Sequence, residues 1–240
     1  FDPEHSDLRK PIGRVPEGVE PRLAPFAKMG EIAITALRVA DYSLGEKVLV
    51  VGQGMVGNLA AQLFQLAGAD VMVTDLSQPR LDVSAACGIT NRVNPGTDDA
   101  AAAVNDWTGG LGADITVDTT GHAGALLGSV EYTRRLGDLI VLGTPRKRVD
   151  MNPAPMLWQA HMKGIAIKGA LRCLFYPLNK AKTSRRSVER DLDYVIDLMA
   201  SGRLVIDPLC TAVYGPGDCQ AAYDSLLKGD TSQIGVVLDW

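Results

Sequence analysis

The sequence predicts an α/β fold, a doubly wound parallel sheet of six strands, on three observations. Apolar runs of strand length alternate with segments of helical spacing from residue 47 to residue 170. The runs are apolar throughout and are bounded by turn residues, which marks strands covered on both faces. The composition agrees: of 240 residues 46% are hydrophobic and 5% aromatic, with 25 glycines, as suits aliphatic layers joined by many tight turns. Alternation of this kind implies right-handed crossovers with helices on both sides of the sheet.

Taken in order, residues 1–25 carry Pro3, Pro11, Pro16, Pro21 and Pro25, which forbid a long helix and favour an extended connector. Residues 26–42 set Ile32, Leu37 and Val39 among small residues, the pattern of a buried helix that Ser43-Leu44-Gly45 ends. KVLVVG (47–52) is the first strand. NLAAQLFQLAG (58–68) is the helix after it, with Leu59, Leu63 and Leu66 on one stripe and Gly68 as its stop. DVMVTD (70–75) and PRLDVSAACG (79–88) repeat the unit, followed by ITNRVNP, a helix near 98–107 and ADITVDTTG (113–121). A helix through GALLGSVEYTRRL leads into GDLIVLGT (137–144), and GIAIKGA (164–170) is the sixth strand. Past residue 175 the rhythm changes. ERDLDYVIDLMASG (189–202) is an amphipathic helix with Leu192, Val195, Ile196 and Met199 inward, and a helix near 217–228 and a strand IGVVLDW close the chain. The divisions are therefore 1–25, 26–175 and 176–240.

The totals exclude several classes. A net charge of −4 argues against nucleic acid and acidic membranes as partners, and no apolar run approaches the roughly 18 residues of a membrane span. Cys87, Cys173, Cys210 and Cys219 form no C-x-x-C pair, and His5, His122 and His161 share no metal-ligand spacing with them or with one another. Reduced cytoplasmic thiols are the expectation, with disulfides the alternative. The opening FDPEHSDLRK has neither Met nor a leader pattern and reads as starting partway through a longer protein. Lys180, Lys182, Arg185 and Arg186 read as a solvated loop face, with an anion site as the alternative, and the three tryptophans as packing residues.

One motif carries chemistry. VGQGMVGN places Gly52, Gly54 and Gly57 in a G-x-G-x-x-G pattern, with Met55 and Val56 between the last two. The pattern follows a buried strand and opens a helix, the context a dinucleotide requires. Gly52 permits the tight turn, Gly54 lets a pyrophosphate approach the backbone, and Gly57 lets helix and strand pack closely. The helix start then offers unpaired N–H groups and the positive end of its dipole. Asp75 ends the next strand, 18 residues after Gly57, where a carboxylate accepts bonds from ribose hydroxyls and repels a 2′-phosphate. NAD is therefore expected over NADP. Arg80 either covers the adenine or is a solvated helix-start residue. Two later strand ends, Asp118-Thr119-Thr120-Gly121 and Leu142-Gly143-Thr144, are small enough to pass close to the same ligand or are plain turns. These features together describe a Rossmann domain.

The stretch from about Pro21 to Leu171 resembles the medium-chain dehydrogenases/reductases, the zinc-type alcohol and polyol dehydrogenase group. The resemblance rests on residues 36–81, DITVDTTG and RLGDLIVLGT, and the tail from Cys210 is similar to that family's return segment. It implies a small-molecule substrate, a homodimer formed through the sixth strand, and a GroES-like catalytic domain of which residues 1–25 are the last strand and the crossing. That domain would add about a hundred residues. The family's catalytic zinc ligand falls, counted back without gaps, on Ala27 or Lys28. Alanine has no donor atom and an ammonium repels a cation, so no metal is expected here. Lys28 and Glu31 would face the nicotinamide as groups for substrate polarisation or proton transfer, or form a local ion pair. The function implied is NAD-dependent oxidation of a secondary alcohol of polyol or sugar type. The alternatives are a zinc-free double-bond reductase and a non-catalytic nucleotide-binding module.

Overall fold

In the computed structural model, which describes residues 14–146, 149–171 and 186–240, the alternating segments form one parallel sheet. The first unit is α1 (Phe26–Val39), β1 (Lys47–Val51), α2 (Met55–Leu66) and β2 (Asp70–Thr74). Next come α3 (Gln78–Ala86), β3 (Asn91–Val93), α4 (Ala100–Thr108) and β4 (Ala113–Asp118). The sheet is completed by α5 (Ala123–Tyr132), β5 (Thr133–Val141), α6 (Ala154–Lys163) and β6 (Ala166–Gly169). Its order is β3-β2-β1-β4-β5-β6, so the winding reverses between β1 and β4. The remainder is α7 (Val188–Ala200), β7 (Cys210–Tyr214), α8 (Cys219–Leu227) and β8 (Gly235–Leu238), with β7 and β8 paired in parallel as a separate two-stranded sheet.

The apolar runs explain the layers. Val48, Leu49 and Val50 of β1 are all fully buried, yet they point to opposite faces. Val48 and Val50 join Phe64, Val71, Val73, Val117 and Ile140 on one side, and Leu49 joins Met72, Val93 and Val104 on the other. A third cluster ties Phe26, Ile34 and Leu59 to Leu192, Val195 and Leu209, so the C-terminal segment shares its core with α1 and α2.

Three expectations change on contact with this packing. In α1 the buried residues are Phe26, Ala27, Gly30, Glu31, Ala33, Ile34, Thr35 and Ala36, while Ile32, Leu37 and Val39 are only half-buried. The reason is close approach: a Cβ on Gly30 would stand 2.6 Å from Val195 Cγ1 of α7, so the small residues form the contact face. The helix expected to run through Leu136 stops at Tyr132, and Thr133 begins β5. There the Thr133 hydroxyl lies 2.9 Å from both the Ser129 carbonyl and Thr116 Oγ1, Arg134 pairs with Asp114, and the register shifts between Ala113 and Ile115. Leu136 takes up the irregularity with a φ of 59°. Finally, α6 and β7 have no counterpart in the sequence reading. The large apolar residues of α6, Leu157, Trp158 and Met162, face outward and only Ala160 is buried, which leaves no inward stripe to read.

Residues 14–25 hold only turns and the short 3-10 segment Pro21–Leu23, with no strand among them. Lys180, Lys182 and Arg185 lie outside the described residues, as do His5 and Cys173, while Arg186 donates to the Arg38 carbonyl at 3.0 Å. No described helix is long and apolar enough to cross a membrane.

Candidate functional site

At the carboxyl ends of the strands, where the order reverses between β1 and β4, a cleft of 820 Å³ opens. Open parallel sheets bind ligands at this place, because the loops diverge there to opposite faces. Gly52, Gly54, Asp75, Arg80, Thr119, Thr120, His122 and Thr231 all line it.

The glycine turn forms one wall. Gly52 has a φ of +93°, and its N–H donates to the Thr74 carbonyl at 2.8 Å, which bends the chain off β1. A Cβ on Gly57 would lie 2.0 Å from the Gly52 carbonyl oxygen, so only glycine lets α2 start this close to the strand. Gly54, by contrast, has nothing within 4 Å of a Cβ position: its face is open space. Met55 and Val56 are the first two residues of α2, where N–H groups have no partner inside the helix.

Asp75 stands across the turn. Its carboxylate accepts from the Gln53 N–H at 2.6 Å and the Ser77 N–H at 2.8 Å, with Arg80 Nη1 at 3.7 Å. Arg80 Nε also donates to the Thr231 carbonyl at 3.1 Å, which ties the C-terminal segment to this rim. Thr119 Oγ1 sits 2.9 Å from both the Val51 and Gly52 carbonyls and holds the turn from the β4 side. Thr120 Oγ1 donates to Asp118 at 2.7 Å and accepts from the His122 N–H at 3.0 Å. Asp118 is fully buried and its Oδ2 has no hydrogen-bond partner, so burial pushes this carboxyl above the usual carboxylate range.

Gly121, Leu142, Gly143 and Thr144 stand behind this wall. The Leu142 and Gly143 N–H groups donate to the Asp118 carbonyl, and a Cβ on Gly143 would lie 2.5 Å from Gly121 N. Lys28 and Glu31 are brought together, Nζ to Oε2 at 2.9 Å, but neither lines the cleft, and Glu31 is buried on α1. Gln53, Ser77, His122 and Thr231 are not identified from the sequence as parts of this site, and Asp118 is identified only as the start of a strand end, not as a buried acid. Gln53 lay inside the glycine motif; the contact of Thr231 with Ser77 spans 154 residues and leaves no local signal.

Comparison with known proteins gives the following. A family model described as zinc-binding dehydrogenase matches residues 56–185. The 2-dehydro-3-deoxy-L-galactonate 5-dehydrogenase of Pseudoalteromonas atlantica is 25% identical over 216 residues, 90% of this chain and 58% of that protein. The L-threonine 3-dehydrogenase of Deinococcus radiodurans is 28% identical over 230 residues, 94% of this chain and again 58% of the relative. Among solved structures, 2R,3R-butanediol dehydrogenase from Bacillus subtilis superposes with a TM-score of 0.75 at 22% identity, covering 95% of this chain and 60% of that one. The chain thus spans about three fifths of the length of these proteins.

Proposed function

Because this chain belongs to the zinc-binding dehydrogenase family, we propose that it is the dinucleotide-binding part of an NAD-dependent oxidoreductase. The substrate in this reading is a secondary alcohol or its ketone, of polyol or sugar type. The names of the relatives, a deoxygalactonate and a threonine dehydrogenase, favour a small hydroxylated molecule. In this reading residues 26–175 are the cofactor unit and residues 176–240 a C-terminal extension, whose described part packs on α1 and α2.

The observation that carries the reading is the open face of Gly54 between the α2 start and the held carboxylate of Asp75. That is the shape and charge a dinucleotide needs: N–H groups for the pyrophosphate and an acceptor for the ribose. The nicotinamide, when bound, accepts or returns the hydride. The chain's own residues bind and orient it. Gly52 and Gly57 let the backbone come close, Asp75 accepts from the ribose hydroxyls and disfavours a 2′-phosphate, and Arg80 covers the adenine side. Thr119, Thr120 and Gly121, backed by Leu142, Gly143 and Thr144, close the opposite wall.

Zinc does not fit the residues present. Among the described residues no three His, Cys, Asp or Glu side chains come together as a metal site. Ala27 is buried in the core, and the Lys28 ammonium already faces Glu31 at 2.9 Å. In our reading the Lys28–Glu31 ion pair, which lies outside the lining of the cleft, braces α1 rather than polarising the substrate oxygen. A reducing, cytoplasmic setting is part of this reading, in which the cysteines serve as reduced thiols.

Calorimetric titration with NAD and NADP, followed by a nicotinamide absorbance assay across polyols, sugars and activated alkenes, tests the proposal. The expected result is tighter binding of NAD with no appreciable turnover by this chain alone, since the wall that holds the substrate belongs to the rest of such a protein, and turnover confined to the alcohols once that part is supplied. Equal or tighter NADP binding overturns the cofactor assignment, and reduction of alkenes alone overturns the substrate class.

A further inference from the structure

Beneath the glycine turn a line of polar side chains crosses the core. Gln53, Asn58 and Ser84 are fully buried and Gln62 is 3% exposed. Polar groups this deep cost free energy unless each is bonded, and these bond to one another in sequence. The Val205 N–H donates to Gln62 Oε1 at 2.8 Å, and Gln62 Nε2 donates back to the Val205 carbonyl at 2.9 Å and on to Asn58 Oδ1 at 2.8 Å. Asn58 Nδ2 donates to Ser84 Oγ at 3.2 Å, and Ser84 Oγ donates to Gln53 Oε1 at 2.9 Å, sharing its proton with the Arg80 carbonyl at 3.0 Å. Gln53 Nε2 donates to the Gly52 carbonyl at 2.8 Å, and the Gln53 N–H reaches Asp75.

The two ends of this line are the important part. One is the segment between α7 and β7, anchored by the buried Leu204 and Ile206 on either side of Val205. The other is the glycine turn together with the acid placed for the ribose. An apolar side chain at 62 would leave the Val205 N–H and carbonyl without this partner, a destabilising loss, whereas the inner Asn58–Ser84 bond joins only side chains, and such a pair contributes little net. What bonded amides add is a fixed register between the groups they join.

We infer that Gln53, Asn58, Gln62 and Ser84 are positioning residues, whose bonded line sets the glycine turn and the Asp75 carboxylate from the docking of residues 204–206. The inference rests on the dinucleotide reading of the cleft. Because coupling between sites is reciprocal, the dinucleotide must in turn steady the Val205 end. Neither Ser84 nor Gln62 lines the cleft; Ser84 also reaches the Arg80 carbonyl on the rim, so it is the response at Val205 that shows whether an effect travels through the line.

The experiment measures NADH affinity and amide hydrogen exchange at Val205 on the 240-residue chain and on Ser84→Ala. In the unmodified chain NADH is expected to slow exchange at Val205. In Ser84→Ala, folded by circular dichroism, NADH affinity falls roughly two- to thirtyfold and the slowing at Val205 disappears. A merely structural serine would lower the melting temperature with affinity and slowing intact, and that result overturns the inference. Should Ser84→Ala not fold, the unmodified chain decides alone: saturating NADH without slowing at Val205 also overturns it. A chain that bound no dinucleotide at all would instead overturn the functional reading, and the positioning role with it.

Discussion

The Asp75 carboxylate is held from three sides, by the Gln53 and Ser77 N–H groups and by Arg80 at 3.7 Å. Its replacement in Asp75→Ala is expected to weaken NAD roughly ten- to a hundredfold, the loss of a bond to a charged acceptor, while NADP changes little or improves. Parallel titrations check this, and equal losses for both cofactors would show that the acid only braces the turn. Asp118 gives a pH signature. Burial raises its folded-state carboxyl pKa, with the charge of His122 acting in the opposite direction. The folded protein therefore holds this proton more tightly than the unfolded one, and stability is lost as pH rises from about 4 through the folded-state value. Asp118→Asn keeps an acceptor for Thr120 and cannot ionise, so its stability relative to the unmodified chain should grow with pH across that window; urea titrations at several pH values decide. Leu136, 86% exposed at a φ of 59°, stores strain that Leu136→Gly relieves by up to about 1 kcal/mol, readable as a higher melting temperature. At this scale the sequence showed Gly52, Gly54, Gly57 and Asp75, because their chemistry lies within one strand–turn–helix–strand unit. It hid Thr231 and the burial of Asp118, because both depend on segments that meet only in the fold.

Elements were legible where the apolar pattern and the packing direction agreed. The runs of β1, β2, β4 and β5 are continuous because both faces are covered, and α7 shows its stripe because one face alone meets α1. Where packing used small residues, as in α1 against Val195, or left apolar residues outside, as in α6, periodicity pointed elsewhere or nowhere. The ends of elements follow finer chemistry. Ser187 is fully buried just ahead of α7, and its Oγ accepts from the Arg190 N–H at 3.1 Å. Ser187→Ala removes that cap and should cost about 1 kcal/mol, measured by chemical denaturation. Asp191, in the same first turn, would still bind Arg38 at 2.7 Å, so the helix should shorten its lifetime rather than unfold. A loss below a few tenths of a kcal/mol would mean that tertiary packing, and not the cap, sets where α7 begins.

For the molecule as a whole, the unfinished side of the sheet is β6. Among the described residues it pairs only with β5 and nothing else pairs with its other edge, with Ile167 at 42% exposure. Beside it Leu157, Trp158 and Met162 of α6 and Leu171 are all more than half exposed, so an apolar surface adjoins unpaired strand groups. Open apolar edges invite pairing with another chain, and soluble proteins either guard them or use them. The one charge on the strand gives no guard here, because Lys168 is turned onto Asp138 at 2.6 Å. A second copy related by a twofold axis would meet the same edge antiparallel, pairing the backbone groups of both strands and covering both α6 faces at once. The cofactor cleft lies at the carboxyl ends of the strands and stays open in such a pair. We therefore expect light scattering to return twice the 25.6 kDa chain mass, with or without NAD. Ile167→Asp adds an exposed charge to each edge without touching the buried core, and should give a folded monomer that still binds NAD. A monomeric unmodified chain that stays soluble at high concentration would rule out this interface, and an Ile167→Asp dimer would place it on another surface.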